Sequence, residues 1–213
     1  MPKAIYGKKV CMTRYFESTG REVPVTAIQA GPCPVVQVKS EETDGYRAIQ
    51  VGFEAYNRKK GLVKPLTGHF KKSGVAAMRF LREIRLKEGE EYKTGDVLQA
   101  DQFAEGDWVD VIGVTKGHGF QGGVRRHNWA GGRASHGSMF HRAPGSIGAS
   151  SYPSRVIKGK RLPGRMGNDT MTVQGLKVVK VDAENNMLYV KGSVPGANGG
   201  LLLVRTSVKN KKK

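Results

Sequence analysis

Several features that a secreted, membrane-spanning or metal-binding protein needs are scarce in this sequence. No apolar run approaches the roughly 20 residues that cross a bilayer as a helix, and the first residues lack the apolar stretch and cleavage site of a secretory signal. There are only two cysteines, Cys11 and Cys33, which form neither a CxxC pair nor a ligand cluster. We therefore expect reduced thiols, no membrane partner and a cytoplasmic location.

Acidic residues are missing from one long stretch of the chain. Residues 111–168 contain no Asp or Glu, although they contain ten Lys and Arg and thirteen Gly. The whole chain has 36 basic and 18 acidic residues, and its net charge is +18. Removing the ten cations of this stretch and the four lysines of the tail, residues 209–213, leaves +4 on the rest. Such local charge usually faces a polyanion, most often nucleic acid, and the alternative is a basic surface that simply faces solvent.

Outside that stretch the pattern is typical of short β-strands. Runs rich in Val, Ile and Tyr are separated by Gly, Pro, Asn and Asp, which suggests a small closed or partly closed barrel. Residues 182–186 are predicted to form a hairpin loop, and a short helix is predicted over residues 73–78 with Ser73 as its N-cap. The predicted strands are residues 4–14, 24–30, 34–38, 46–53, 108–115, 171–181, 187–191 and 201–205.

The acid-free stretch, which we call the arm, lies between two predicted strands. Its first residues finish the strand that ends at Thr115, and beyond them it shows neither helical nor strand periodicity. A loop of this length without secondary structure usually marks function or disorder. The arm also carries aromatic and aliphatic side chains that a linker does not need, so we expect it to become ordered only against a partner.

Each type of residue in the arm has a use on folded RNA. Arg and Lys bind phosphates, and Arg also stacks on bases. Trp129, Phe140 and Tyr152 can stack on unpaired bases, although Trp129 could instead pack on the protein. With no helix available to enter a major groove, RNA is favoured over duplex DNA. On this reasoning the RNA-binding residues are Lys116, Arg125, Arg126, His127, Trp129, Arg133, His136, His141, Arg142, Arg155, Lys158, Lys160, Arg161 and Arg165.

The sequence offers little support for catalysis or metal binding. Four of the five histidines lie in the arm, but no Cys or carboxylate stands near them at ligand spacing, so we expect no metal and no cofactor. Gly117, Gly119 and Gly122 have the spacing of a dinucleotide fingerprint, yet neither the following helix nor the ribose-binding acid is predicted. Two alternatives to a structural RNA-binding protein stay open: an RNA-modifying enzyme guided by a basic arm, and a histone-like compactor of DNA.

Three strings of residues resemble one known family. They are GKKVCMTRYF at residues 7–16, DGYRAIQVGF at residues 44–53, and the long run SHGSMFHRAPGSIGASSYPSRVIKGKRLPGRMGNDTMTVQGLKVVKVD at residues 135–182. Together they resemble bacterial large-subunit ribosomal protein three, and the resemblance covers essentially the whole chain. It implies a structural constituent of the large ribosomal subunit, not an enzyme, with no small-molecule substrate.

The family resemblance also implies an architecture and a set of partners. It implies a mainly β fold: a six-stranded barrel of the translation-protein type, formed by residues 1–110 and 169–208, with a short helical segment and a long arm, residues 111–168, inserted between two strands. The arm would enter 23S rRNA, and its tip, near residues 145–153, would approach the peptidyl-transferase centre, which adds Ser150 and Ser151 to the RNA-binding residues. Binding near the 3′ end of 23S rRNA, early in assembly, and contacts with ribosomal proteins fourteen and nineteen are implied in the same way.

The sequence departs from some members of that family at one position of interest. In some bacterial relatives a glutamine shortly after the GSIG string is methylated, whereas here the string continues Ala149-Ser150-Ser151. We therefore expect this modification to be absent. A tip peptide whose mass includes one extra methyl group would contradict the expectation.

Overall fold

The computed structural model describes residues 3–56, 62–86 and 89–209. The chain divides into two compact units: the body, Met1–Val114 with Thr170–Lys213, and the insert, Thr115–Asp169. Residues 111–114 were assigned to the arm, but they belong to a strand of the body. All four pair with a neighbouring strand on one side, and residues 111–113 also pair with a strand on the other side. Apart from Lys209, the predicted basic tail lies outside the described residues.

The described residues are mainly β-strand. Three short α-helices are present, α1 (Glu41–Asp44), α2 (Lys64–Ser73) and α3 (Gly123–His127), together with a single 3-10 turn at Ala100–Gln102. The strands are β1 (Ala4–Phe16), β2 (Glu22–Ala30), β3 (Cys33–Lys39), β4 (Ala48–Ala55), β5 (Met78–Arg85), β6 (Val97–Leu98), β7 (Trp108–Val114), β8 (Gly119–Gln121), β9 (Gly164–Met166), β10 (Thr170–Asp182), β11 (Met187–Lys191) and β12 (Leu201–Thr206).

Six strands of the body pair in a closed antiparallel ring. Their order is β1-β12-β7-β10-β11-β2, and the ring closes where β2 pairs with β1. β7 and β10 are neighbours in the ring, with Val114 opposite Thr170. The insert therefore begins and ends at two paired residues, which brings its two ends close together without a long connection.

Alternation of side chains along the ring strands produces the core of the body. In β11 and β12 fully buried residues alternate with partly exposed ones, Leu188 and Val190 in the first strand and Leu202 and Val204 in the second. Successive side chains of a strand point to opposite faces, so an apolar residue at every second position places one apolar face inside the ring. This burial is the main source of stability of the body.

A second sheet completes the body. Its strand order is β5-β4-β3-β6. Several buried apolar residues of this sheet, among them Val35, Ile49 and Val51, belong to the same buried cluster as residues of the ring. The body therefore has one continuous core shared by both sheets.

Predictions of strands from hydrophobic pattern are largely confirmed. A strand is found at all eight predicted places, the hairpin between β10 and β11 is present, and the chain is mainly β. β5 was missed because its sequence, MRFLREIR, carries four charges and buries only Ile84, which hides any alternation. β6, β8 and β9 are two or three residues long, too short for a period to be visible.

The predicted helix at residues 73–78 is wrong. Ser73 is the last residue of α2 rather than an N-cap, and its hydroxyl donates to the carbonyl oxygen of Phe70 at 2.9 Å. Gly74 then ends the helix in the left-handed conformation, with φ of 67°, and Met78 already begins β5. The real helix starts earlier because Pro65 suits the first turn, where its missing N–H is not needed.

No helix in the described part of the chain is long and apolar enough to cross a membrane.

Candidate nucleic-acid interface

The two ends of the insert are joined by hydrogen bonds at its base. The backbone N–H of Thr115 donates to the carbonyl oxygen of Asp169 at 2.9 Å, and the N–H of Asp169 donates to the Thr115 hydroxyl oxygen at 3.2 Å. Beyond this pair, β8 and β9 form a short antiparallel ladder, and the N–H of His118 donates to the carbonyl oxygen of Met166 at 2.9 Å. The expectation of no regular structure beyond Thr115 is therefore wrong for this part of the insert.

Helix α3 is tied to the returning chain through a single carbonyl oxygen, that of Leu162. The guanidinium of Arg126 donates to this oxygen at 2.7 Å, and the Nε2 atom of His127 lies 3.0 Å from the same oxygen. Because a carbonyl oxygen only accepts, the proton of His127 must be on Nε2. Two predicted RNA-binding residues thus also hold together the outgoing and returning segments of the insert.

Trp129 packs within the insert. A Cβ atom placed on Gly123 would lie 2.1 Å from the indole ring, so that ring rests directly on the glycine backbone. The ring of His127 is 6.2 Å from that of Trp129, centroid to centroid. Gly123 is buried and Trp129 is half-buried. One face of the indole is therefore occupied by protein, and base stacking is left to its remaining exposed surface.

A backbone hydrogen bond farther along the insert also joins its outgoing and returning segments. The N–H of Gly132 donates to the carbonyl oxygen of His141 at 2.9 Å. Within the loop so closed, the Ser138 hydroxyl donates to the carbonyl oxygen of Phe140 at 3.1 Å. Beyond it, contacts are local: Ser146 donates to the Gly148 carbonyl oxygen at 2.8 Å, and Ser154 donates to that of Ser151.

The predicted RNA-binding residues are nearly all on the surface of the insert. His127 and Trp129 are half-buried and the other fourteen are exposed. The structure brings together Arg126, His127 and Trp129 around α3, and it places Arg125 Nη2 3.1 Å from Nδ1 of His118, a histidine absent from the predicted set. The exposed ones are Lys116, Arg125, Arg126, Arg133, His136, His141, Arg142, Ser150, Ser151, Arg155, Lys158, Lys160, Arg161 and Arg165.

Large apolar side chains of the insert are exposed beside these cations. The exposed fractions are 100% for Met139, 87% for Tyr152 and 77% for Phe120. Met139 and Phe120 are among the apolar side chains of the arm that a linker does not need, and neither is in the predicted RNA-binding set. Aromatic rings beside cations are suited to stacking on unpaired bases while phosphates are neutralised.

The charge of the insert is not balanced within the insert. Asp169, at its very end, is its only acidic residue. The six ion pairs found among the described residues all join residues of the body. A surface of this composition attracts polyanions, and its attraction weakens with salt.

Metal binding has no structural support among residues 3–56, 62–86 and 89–209, where no group of three or more His, Cys, Asp or Glu could hold an ion. Two histidines of the insert have other contacts, His118 with Arg125 and His127 with the Leu162 carbonyl oxygen.

Comparison with known proteins gives a consistent result. Residues 88–187, which include the whole insert, match the family model described as Ribosomal protein L3. The chain is 51% identical to the large ribosomal subunit protein uL3 of Geobacter sulfurreducens over 98% of this chain and 99% of that protein. It is 52% identical to the uL3 protein of Geotalea daltonii over the full length of both. The uL3 protein of Pelotomaculum thermopropionicum is 53% identical over 98% of this chain and 99% of that protein.

Proposed function

The chain belongs to the ribosomal protein L3 family, and from this premise we propose that it binds 23S rRNA as a component of the large ribosomal subunit. Its role there is structural rather than enzymatic. We propose that the insert makes the principal RNA contact, in the cytoplasmic ribosome. The single observation that carries this proposal is an exposed, nearly acid-free segment whose cations have no acidic partner within it.

Counterion release is the proposed source of affinity. Each phosphate that a Lys or Arg neutralises releases condensed cations, so binding weakens as salt rises. The hydrogen-bonded base, with α3 held to Leu162, supports the cations of the insert on a partly ordered framework. A framework formed before binding lowers the ordering cost of the complex.

Finer parts of the proposal rest on the family. We propose a barrel of the translation-protein type, binding near the 3′ end of 23S rRNA early in assembly, and neighbours corresponding to ribosomal proteins fourteen and nineteen. The tip, near residues 145–153, would approach the peptidyl-transferase centre. All residues from 141 to 152 are exposed, as a segment enclosed by RNA requires of the free protein.

The test is binding of the full-length protein to a 23S rRNA transcript at several salt concentrations. Replacing Arg155, Lys158 and Arg161 with Gln should reduce the steepness of the log–log salt dependence by about 2 to 3, given 0.7 to 0.9 per phosphate contact. A matched control removes the same charge from exposed positions of the body, Lys177, Lys180 and Lys191. Equal losses in both variants would defeat the assignment of RNA binding to the insert.

Single substitutions test individual positions. Trp129→Ala or Arg142→Ala should weaken incorporation into large subunits more than Arg21→Ala, because Arg21 lies on the body. Incorporation is measured as the fraction of protein that co-sediments with large subunits after a high-salt wash. Equal incorporation of the three variants would count against the proposed interface. In a separate competition assay, equal affinity of the protein for duplex DNA and for folded RNA would favour a DNA compactor instead.

The proposed tip position has its own test. If Ser150 and Ser151 lie near the peptidyl-transferase centre, bulky substitutions there should change peptidyl transfer or the response to drugs that bind that centre. The same substitutions at Ser135, an exposed residue in the loop closed by the hydrogen bond between Gly132 and His141, provide the control. Normal peptidyl transfer and drug response in the Ser150 and Ser151 variants would refute this placement.

A further inference from the structure

A second acid-free basic segment lies in the body. Residues 55–82 contain eight Lys and Arg and no Asp or Glu, a higher density than the ten cations in residues 111–168. The +4 charge outside residues 111–168 and 209–213 is therefore a sum of opposites, since residues 55–82 contribute +8 and the remaining residues contribute −4. The charge of the body is as localised as the charge of the insert.

Helix α2 presents part of this charge on one face. Lys64, Gly68 and Lys71 are four and then three residues apart, a spacing that places them on the same side of a helix. All three are exposed, whereas Phe70, on the other side, is buried with 3% exposure. The helix is also attached to β4, because Nε2 of His69 lies 2.6 Å from Oε1 of Gln50. The lysines are thus displayed by an anchored element.

The lysines of this face are not used to balance acids of the body. In the part of the chain that the structure describes, no ion pair includes Lys64, Lys71 or Lys72. Arg79, in the same acid-free segment, differs, because its guanidinium is 3.0 Å from Oε2 of Glu54. The described ion pairs therefore leave all three lysines of α2 uncompensated.

A polar cavity lies beside the last turn of α2. Its volume is about 310 Å³, and its polar lining includes Lys72, His69, Ser73 and Thr94. The ammonium of Lys72 and the hydroxyl of Thr94 are donors of the kind that bind phosphate and ribose oxygens. The cavity continues the basic face toward the end of the helix.

Gly68 has no explanation within the described residues. A helix is less stable with glycine than with alanine at an interior position. Glycine is therefore usually found there where close packing or an unusual backbone angle requires it. Here no described atom would lie within 4 Å of an added Cβ, and the backbone does not adopt a positive φ. A glycine between two lysines would instead allow the backbone of a bound partner to approach the helix closely.

We propose that the α2 face, formed by Lys64, Gly68, Lys71 and Lys72, is a second RNA-binding surface that contacts the sugar–phosphate backbone. The proposal rests on the proposed function of the chain, since it assigns a further contact to the same RNA. Charge favours RNA over a protein partner, because three lysines lie within nine residues and no acid accompanies them. The contact is to the backbone, so it would position the body without reading sequence.

The first experiment compares three charge variants of the full-length protein on a 23S rRNA transcript. Replacing Lys64, Lys71 and Lys72 with Gln should reduce the log–log salt dependence by about 2 to 3. The Arg variant at the same three positions should restore it, which separates loss of charge from loss of folding. The control replaces Lys177, Lys180 and Lys191 with Gln and should change the dependence by less than one phosphate contact.

The second experiment uses Gly68→Ala, which keeps every charge. It should raise the melting temperature of the free protein, since the added methyl group meets no described atom. If RNA backbone passes over this residue, the same variant should bind the transcript several-fold more weakly. Stabilisation with unchanged RNA affinity would overturn the close approach at α2.

Hydroxyl-radical footprinting distinguishes failure of this inference from failure of the proposed function. Loss of the α2 lysines should remove protection from one set of nucleotides, and loss of Arg155, Lys158 and Arg161 from another. If only the insert variant changes the footprint, the α2 surface is refuted and the proposed function stands. If α2 lysines matter for subunit incorporation but not for any footprint, the partner is an acidic protein and the inference is also refuted.

Discussion

Most buried apolar residues of the body form one cluster shared by the six-stranded ring and the second sheet, whereas Gly123 is the one buried residue of the fully described insert. The six described ion pairs also lie in the body, and the insert has ten cations with a single acid at its end. The body thus has its own hydrophobic source of stability. The insert depends on a few hydrogen bonds, each worth about 1 kcal/mol.

This difference shows that one chain combines a unit that has an apolar core with a segment that has almost none. Apolar burial stabilises the body. In the insert, uncompensated positive charge opposes compaction until a polyanion neutralises it. Substitutions in the two units should therefore affect different measurements, and the following four predictions are ordered by expected size.

Removal of a core side chain should have the largest effect. Leu188 is fully buried in β11, and Leu188→Ala should lower the free energy of unfolding by about 2 to 5 kcal/mol through lost burial and a cavity. Ile147→Ala, in the insert, should change it by less than about 0.5 kcal/mol because that side chain is already exposed. Urea unfolding followed by circular dichroism measures both. Similar destabilisation by the two changes would contradict the conclusion that apolar burial stabilises the body and not the insert.

Loss of a buried carboxylate should have the second-largest effect on the stability of the protein. Asp110 is fully buried, and its carboxylate accepts the N–H of Gly175 at 3.0 Å and that of Val208 at 3.2 Å. Asp110→Ala leaves both donors unsatisfied and should cost about 2 kcal/mol or more. Asp169→Ala in the insert is the control, since the contacts of Asp169 described above are made by its backbone. Thermal unfolding of the two variants should show a lower melting temperature for the first alone.

Acid should weaken an ion-pair cluster of the body by a smaller amount. Glu54 accepts from Lys8 and pairs with Arg79, both at 3.0 Å, and its pKa is lowered chiefly by the Lys8 hydrogen bond. A lowered pKa means that the stabilisation is complete above the ordinary value of 4.5 and is lost as pH falls through the folded value. Glu54→Gln should therefore remove about 0.5 kcal/mol at pH 7 and less than that at about pH 3.

The control for the acid prediction is Glu105→Gln, a change at an exposed glutamate of the body. Urea unfolding at the two pH values measures the difference between each variant and the unaltered protein. A cost for Glu54→Gln that persists undiminished in acid would show that the carboxylate acts through packing instead of charge.

The smallest effect on global stability should come from loss of the clamp, by which we mean the hydrogen bond from Arg126 to the Leu162 carbonyl oxygen inside the insert. Arg126→Ala removes the 2.7 Å bond to the Leu162 carbonyl oxygen. We expect faster hydrogen exchange at the amide of His118, which belongs to the base of the insert, with the unfolding free energy unchanged to within about 0.5 kcal/mol. Arg133→Ala, at an exposed residue, should leave that exchange rate as it is. Unchanged exchange in both variants would show that the clamp does not support the base.

The predictions that succeeded from sequence have a common physical cause. The strand at residues 187–191 was predicted with its observed bounds, because Leu188 and Val190 alternate with outward-facing residues. Strand β5 was missed because most of its side chains are not buried, and α2 was misplaced because Pro, Thr and Gly obscure its helical pattern. A hydrophobic pattern in the sequence reflects which side chains are buried. Elements whose side chains are mostly exposed therefore cannot be recognised from it.

The candidate interface was predictable in part. Absence of acid from residues 111–168 is visible without a structure, and it identified the cations that the structure finds exposed. The contact of Trp129 with Gly123, and the sharing of one carbonyl oxygen by Arg126 and His127, depend on residues 6 to 36 positions apart. Such contacts leave no local pattern. The α2 lysines were overlooked because acids elsewhere in the body cancel their charge in the total.

Sequence alone determined that the chain is mainly β and that its positive charge is gathered in one segment. Alternation of apolar residues and the placement of charges are properties of the chain as written. Tertiary structure decided the rest. Closure of the ring between β1 and β2 and the pairing of Thr115 with Asp169 join residues distant in the chain. The contact between His69 and Gln50, which attaches α2 and its lysines to β4, also joins residues that are distant in the chain. These depend on which surfaces meet after folding, and only packing in three dimensions selects them.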